Sequence, residues 1–315
     1  MEKLRELGHE VKVSPEGRAL TEAELVESVK DIEGLLCLLT DRIDSDLMDA
    51  AGPQLKVISN YAVGYDNIDI EAATDRGIVV ANTPSEAVNE SVAEHTWALI
   101  LALANRIVEA DEFVRQEKFK GWEPDLFLGM DLIGKTLGII GLGRIGTMVA
   151  RRAQGWKMNV IYFKRTRDLQ CEKEMGVLYC PLDEVFAKSD FVSLHVPLTD
   201  ETHHLINKET LAKMKKGAYL INTARGAVVD EKDLIKSLKA GHLGGAALDV
   251  FEDEKNISKD LLKMPNTITT PHIASGTFEA RKKMGEMATE ALEFALSGKE
   301  PLNIVNKEVW EKRRK

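Results

Sequence analysis

Cysteine is scarce. The chain has three in 315 residues, Cys37, Cys171 and Cys180, an odd number without a C-x-x-C pair, which supports neither a disulfide framework nor a zinc knuckle. No H-x-x-x-H or H-E-x-x-H pattern is present either, so no metal is expected. Long apolar runs are also missing. The N-terminus, MEKLRELGHE, has no signal-like apolar core, and the longest apolar run, Trp97 to Ala104, is too short to span a bilayer. A reducing, cytoplasmic setting is the expectation. Basic charge is in deficit: 42 Lys and Arg against 51 Asp and Glu give a formal charge of −9. That argues against a nucleic-acid or anionic-membrane partner, since both want clustered cations. An anionic substrate must then be met by local positive groups.

What is present is a long α/β alternation. HEVKV, GLLCLL, LKVIS and IVVAN read as strands between helix-like stretches. A second and more apolar series follows in TLGII, NVIYF, FVSLHV, AYLINTA, GAALDV and NTITT. Strands this apolar are buried on both faces of a parallel sheet. Asn82-Thr83-Pro84 breaks the first series, because proline discourages helix in the residue before it, and a second break is expected at Ser275-Gly276. The organisation predicted is a discontinuous outer, substrate domain of residues 1–82 and 276–315 with a dinucleotide-binding domain of residues 83–275 inserted. Ser91 to Glu109 is a helix apolar around most of its circumference. It reads equally as a core helix and as a homodimer interface.

Thr136 to Ile140 is a short buried strand, followed at once by Gly141-Leu142-Gly143-Arg144-Ile145-Gly146, a helix, and the strand Asn159 to Phe163. This is G-x-G-x-x-G in a βαβ setting. The first glycine permits the tight turn, the second lets the backbone approach a pyrophosphate, and the third lets helix and strand pack closely. The phosphates would sit at the helix N-terminus, where unpaired N–H groups and the dipole favour negative charge. The acid that would bond a ribose 2′-hydroxyl is absent where the second strand ends. Lys164, Arg165, Thr166 and Arg167 stand there instead, which favours NADP(H) while leaving NAD(H) possible. The opposing reading is that Lys164 and Arg167 are ordinary surface charges, and Asp168 lies close by.

Three further segments end strands in the same half of the chain: Asn222-Thr223-Ala224-Arg225-Gly226, Asp249-Val250-Phe251-Glu252-Asp253-Glu254 and Pro271-His272-Ile273-Ala274. In doubly wound sheets ligands bind beyond the carboxyl ends of the strands, so all three converge on the cofactor crevice. With SNYAVGYDNID, HVPLTDET and INTARGAVVDE in order along nearly the whole chain, the sequence resembles the D-isomer-specific 2-hydroxyacid dehydrogenases, most closely the glyoxylate/hydroxypyruvate reductase branch. The resemblance implies two doubly wound parallel-sheet domains, one Rossmann-type and one flavodoxin-like, and hydride exchange between a nicotinamide and a small 2-keto or 2-hydroxy acid. D-3-phosphoglycerate and D-lactate dehydrogenases share the constellation. Formate dehydrogenase carries an amide where this chain has Glu254. The C-terminal-binding corepressors, which use the dinucleotide to control assembly, are the rival from a different class.

By position, Arg225 resembles the arginine that holds the substrate carboxylate and polarises its keto oxygen, a task that suits the guanidinium fork. His272 resembles the acid/base that gives a proton to that oxygen, and Glu254 the carboxylate that fixes the histidine tautomer. Asp249 resembles the residue that meets the nicotinamide carboxamide. Leu142 to Ile145, Lys164 to Thr166, Thr223, Ala224, Ile273 and Ala274 match cofactor-lining positions. Val63 and Gly64 resemble the outer-domain loop whose N–H groups grip the substrate carboxylate, and Trp122 sits where some relatives offer a partner subunit's tryptophan. His195 reads as a groove or backbone-satisfying residue, His95 as structural, and His9, His203, His204 and His242 as surface or loop residues. The chain departs from the family pattern twice. Lys255 replaces the usual proline after Glu254. The chain also opens on the helix ending in LGHEV, where the family has a strand first. In the flavodoxin-like order 2-1-3-4-5 that strand lies inside the sheet, so either the numbering starts at an internal methionine or the outer domain is weakened.

Overall fold

The computed structural model describes residues 2–14 and 17–314, and its backbone contacts divide into two units. One comprises Met1–Val88 and Thr277–Lys315, the other the uninterrupted stretch Asn89–Gly276. The first changeover falls inside the continuous Glu86–Ala104 helix, past Asn82-Thr83-Pro84, and the second directly after Gly276.

The inserted unit is built on β4 (Thr136–Ile140), β5 (Asn159–Phe163), β6 (Leu178–Tyr179), β7 (Phe191–Leu194), β8 (Tyr219–Asn222), β9 (Gly245–Leu248) and β10 (Thr267–Thr269). Every pairing is parallel and the order is β10-β9-β8-β7-β4-β5-β6. Alternation along the strands sends side chains to two cores. Ile140, Val192, Leu194, Leu220 and Leu248 pack with Phe186, Leu211 and Leu234 from the helices of one face. Leu137, Ile139, Tyr162, Phe191 and Ile221 pack with Trp97, Ile100, Val149 and Ala153 on the other. This is the doubly wound arrangement that the apolar strands require. The chain winds outward from β4 to β6, then returns to β7 on the other side of β4. The carboxyl ends of β4 and β7 therefore form the switch point where such sheets take ligands. The two-residue β6 was not visible in the sequence pattern.

The outer unit has β1 (Gly34–Cys37), β2 (Val57–Asn60) and β3 (Val79–Ala81), parallel and in that order. Ile58 and Val80 face a core with Leu25, Leu47, Met48 and Ala73, whereas Val57 and Val79 face Leu4, Leu292 and Val309. The helix Phe278–Leu296 starts at a Thr277 cap whose hydroxyl accepts the Ala280 N–H at 3.2 Å. HEVKV, expected as a strand, joins no sheet among the described residues. A segment without a ladder partner gains nothing from extension.

The apolar stretch Ser91 to Glu109 is two helices. Glu86–Ala104 packs Ala93, Trp97, Ile100 and Leu103 into the core of its own unit, and Arg106, left-handed at φ 54°, ends the turn before Ile107–Arg115. That second helix buries no residue.

Candidate active site

The first and third glycines of the turn are sterically required. Gly141 has φ 99°, and a Cβ there would come within 2.5 Å of the His195 carbonyl. A Cβ on Gly146 would meet the Gly141 carbonyl at 2.3 Å, so any larger residue would push helix and strand apart. A Cβ on Gly143 would meet nothing within 4 Å, which leaves open space over the start of the Arg144–Ala153 helix. Gly143 occupies the cap position and supplies no side chain to bond the first N–H groups. An uncapped N-terminus beneath open space fits a pyrophosphate. Ile145 is half-buried and Arg144 exposed at that mouth, whereas the Leu142 side chain belongs to the core.

The cations after β5 divide sharply. Lys164 Nζ lies 3.1 Å from Asp168, and Arg167 forms a two-pronged pair with Glu172 at 2.6 and 2.7 Å. Asp168 also caps the next helix by accepting the Cys171 N–H at 3.1 Å. That backbone bond and Lys164 hold its carboxyl below the usual range. Arg165 and Thr166 are exposed, and Arg165 makes no ion pair among the described residues.

Beyond the sheet the backbone continues the ladder. Asp249 N–H donates to Asn222 O at 3.0 Å, and His272 N–H donates to Asp249 O at 2.9 Å. These bonds tie the loops after β8, β9 and β10 together. In the first loop the Asn222 side chain accepts the Ala224 N–H at 3.0 Å and donates to the Arg225 carbonyl at 2.8 Å. Gly226 follows because its Cα is pressed against the next loop, where a Cβ would fall 1.9 Å from the Phe251 carbonyl carbon. Thr223 Oγ1 meets Thr96 Oγ1 at 3.0 Å, and Thr96 in turn donates to Val92 O. In the third loop His272 is left-handed at φ 53°, and its Nδ1 lies 2.7 Å from Glu254 Oε1. The pair forms despite Lys255. Both groups remain partly open, at 30% and 42% side-chain exposure, so the ring is held while its other nitrogen can still be reached.

Asp249 is where structure and resemblance differ. Its side chain is fully buried beneath the histidine loop, not open toward a carboxamide. Oδ1 accepts the Thr270 hydroxyl at 2.6 Å and the Ile273 N–H at 2.9 Å, and Oδ2 accepts the Ala274 N–H at 2.8 Å. Burial works to raise its pKa, but bonds from His95, Thr270 and the two N–H groups outweigh it and keep the carboxyl below its ordinary value. His95 Nε2 stands 3.1 Å from Thr270 Oγ1 and 3.4 Å from Asp249. This brace joins residues far apart in sequence, so periodicity could not reveal it. His195, at the switch point, meets Ser193 Oγ at 2.9 Å through Nε2, and burial pushes its pKa down to about 4, which keeps the ring neutral at pH 7.

Val63 and Gly64 lie in the outer unit, after β2. Asn82 donates to the Val63 carbonyl at 2.7 Å and Asn60 to the Gly64 carbonyl at 2.8 Å. The side-chain amides hold the carbonyls, and among the described residues neither N–H of the pair has a partner. A small crevice lined by Arg106, Tyr219 and Asn266 sits at the opposite, N-terminal edge of the inserted unit's sheet and holds none of these groups. Among the described residues no cluster of His, Cys, Asp and Glu is placed to hold a metal, and no helix is long and apolar enough to cross a membrane.

Known proteins resemble this chain along most of its length. The chain is 50% identical to the glyoxylate reductase of Pyrococcus furiosus over 304 residues, 95% of this chain and 90% of that one. A solved structure from Thermus thermophilus superposes with a TM-score of 0.90 at 46% identity, covering 96% of this chain and 95% of that one. The NADPH-dependent glyoxylate/hydroxypyruvate reductase of Sinorhizobium meliloti, solved with NADP and malonate, gives a TM-score of 0.83 at 33% identity, covering 91% and 88%. Residues 97–274 match the profile of the D-isomer specific 2-hydroxyacid dehydrogenase NAD binding domain. That stretch contains the glycine turn and every catalytic candidate, so the chain belongs to the D-isomer specific 2-hydroxyacid dehydrogenases.

Proposed function

We propose that this protein reduces glyoxylate, and hydroxypyruvate with it, to the 2-hydroxy acids, preferring NADPH to NADH. The observation that carries this reading is the His272–Glu254 pair at 2.7 Å, tied through the Asp249 backbone to the loop of Arg225 at the carboxyl edge of the sheet. The dinucleotide, held at Gly141 to Gly146 and by Arg165 and Thr166, supplies the hydride when bound. Arg225 would grip the substrate carboxylate with its fork and draw charge toward the keto oxygen. His272 would deliver the proton to the keto oxygen from Nε2, while Glu254 at Nδ1 fixes the tautomer and offsets the charge of the protonated ring. The activities for which the Pyrococcus and Sinorhizobium proteins are named support the substrate class.

The test is the rate of reduced-nicotinamide consumption with glyoxylate, hydroxypyruvate, pyruvate and phosphohydroxypyruvate, each with NADPH and NADH. Fastest turnover of pyruvate or phosphohydroxypyruvate would overturn the substrate assignment. Binding of dinucleotide without turnover would favour a corepressor-like role.

The NADPH preference rests on Arg165. With Lys164 and Arg167 engaged by Asp168 and Glu172, Arg165 is the cation available to a 2′-phosphate. Arg165→Asp should lower kcat/KM with NADPH by about 10²-fold, as expected for removing a charge-assisted contact and adding a like charge, and leave NADH use nearly unchanged. An unchanged cofactor ratio would sink this assignment.

We also place the protein in the cytoplasm as a homodimer. The supporting surface follows the Glu86–Ala104 helix. Ile107, Val114, Phe119, Trp122 (83% exposed), Leu128 and Ile133 stand exposed within one short stretch. So many exposed apolar side chains in one stretch support an interface there. Sedimentation should give twice the chain mass, and Trp122→Glu with Leu128→Glu should halve it.

A further inference from the structure

A second acidic constellation lies at the same edge of the inserted unit, where the proposed chemistry does not use it. Glu231 opens the helix Glu231–Lys239 and is only 8% exposed. Its Oε1 accepts the Glu252 N–H at 2.7 Å, and its own N–H donates to Glu252 Oε2 at 3.0 Å. The two glutamates thus bond each other's backbone reciprocally. The remaining oxygen of Glu252, Oε1, lies 2.7 Å from His204 Nε2, on a loop where His204 is left-handed at φ 49° and donates its N–H to Ala227 O at 2.8 Å. A carboxylate as buried as that of Glu231 is rare without a compensating task, and here its neighbour is a second carboxylate, on the more exposed Glu252. Here burial first, and then the charges of Glu252 and Asp253, raise the pKa of Glu231 against the lowering by the Glu252 N–H.

The position of this clasp gives its purpose. It joins the segment that begins with Arg225-Gly226 to the segment that ends in Glu254. At the same place Gly226 is packed so closely on the Phe251–Glu252 peptide that no side chain fits. The substrate anchor and the partner of the acid/base therefore hang from opposite sides of one junction. We propose that Glu231, bonded to Glu252, is a positioning residue that sets the spacing between Arg225 and the Glu254–His272 pair. This rests on the function proposed above. Neither glutamate touches the reacting atoms. Without the Glu231 side chain the second loop loses the acceptor for its Glu252 N–H and is free to shift by a fraction of an ångström, a displacement to which hydride and proton transfer are steeply sensitive.

The experiment compares Glu231→Ala, Glu231→Gln and Glu231→Asp with the wild type in three readouts: kcat for glyoxylate, dinucleotide affinity, and amide exchange in peptides spanning 224–230 and 250–256. Glu231→Ala should lose about tenfold or more in kcat, keep its dinucleotide affinity, and exchange faster in both peptides. Glu231→Gln keeps an acceptor at Oε1 and should restore kcat and protection together. Glu231→Asp, one methylene shorter, should fall between and serves if the alanine variant does not fold. Faster exchange with unchanged kcat overturns the proposal, as does a kcat loss that glutamine fails to restore. If the wild type reduces no keto acid, the functional reading fails, while the exchange data still decide whether the clasp holds the two loops.

Discussion

His272→Gln should lower kcat for keto-acid reduction by about 10³-fold, within the range ordinarily contributed by a positioned proton donor, with dinucleotide affinity unchanged. Glutamine can still donate to Glu254, but it has no proton to transfer at the working pH. The position is demanding for another reason. His272 is left-handed at φ 53°, a conformation that costs a residue with a Cβ about 1 kcal/mol or more and persists only when its surroundings impose it. Asp249 imposes it here, through its own carbonyl and through the bonds to Ile273 and Ala274 on the far side of the histidine. Thermal melting should accompany the kinetics. A variant that melts with the wild type and binds the dinucleotide but does not turn over would locate the defect in proton transfer. Parallel loss of binding and turnover would remove His272 from the acid/base role.

Arg225→Ala should reduce kcat/KM for glyoxylate by about 10²–10³-fold, the cost of removing one charge-stabilising donor from a preorganised site. The loss should appear in both KM and kcat. The same guanidinium is asked to bind the carboxylate in the ground state and to stabilise charge growing on the keto oxygen. Arg225→Lys keeps the charge without the planar fork and should recover only part of the loss. Steady-state kinetics against glyoxylate, with dinucleotide affinity measured by fluorescence, checks both variants. Normal kcat/KM in Arg225→Ala would move the substrate anchor elsewhere.

Local features were legible in the sequence. The turn Gly141 to Gly146 could be read because its glycine spacing between a strand and a helix is itself the signal, and the buried strands β4, β5, β7, β8 and β9 because their apolar runs have no other use. His272, Glu254 and Arg225 became readable only through resemblance, since a histidine after a proline or an arginine before a glycine has no local signature of chemistry. The features that escaped depend on partners distant in sequence. HEVKV has a strand's alternation but pairs with no strand among the described residues. The helix break at Arg106 turns on one left-handed residue of a type that seldom adopts that conformation. The bonds of Glu231 to Glu252 and of Asp249 to Thr270 span 21 residues each, and nothing in a hydrophobic period reports which polar groups will meet. The reading of Lys164 and Arg167 as ordinary surface charges stayed open in the sequence because their acidic partners, Asp168 and Glu172, are identified only by the fold.

During synthesis the segment up to Val88 leaves the ribosome before residues 277–315, yet one face of its sheet is covered by the Phe278–Leu296 helix, whose Leu292 packs with Val57 and Val79. Those strands stand with an apolar face bare until residues 277–315 have been made. Asn89–Gly276, continuous in the chain and with both faces of its sheet covered by its own helices, can become native in the interval. The order of folding therefore inverts the order of translation for the outer sheet, and its three short strands are the part of a nascent chain that chaperones would find exposed for longest.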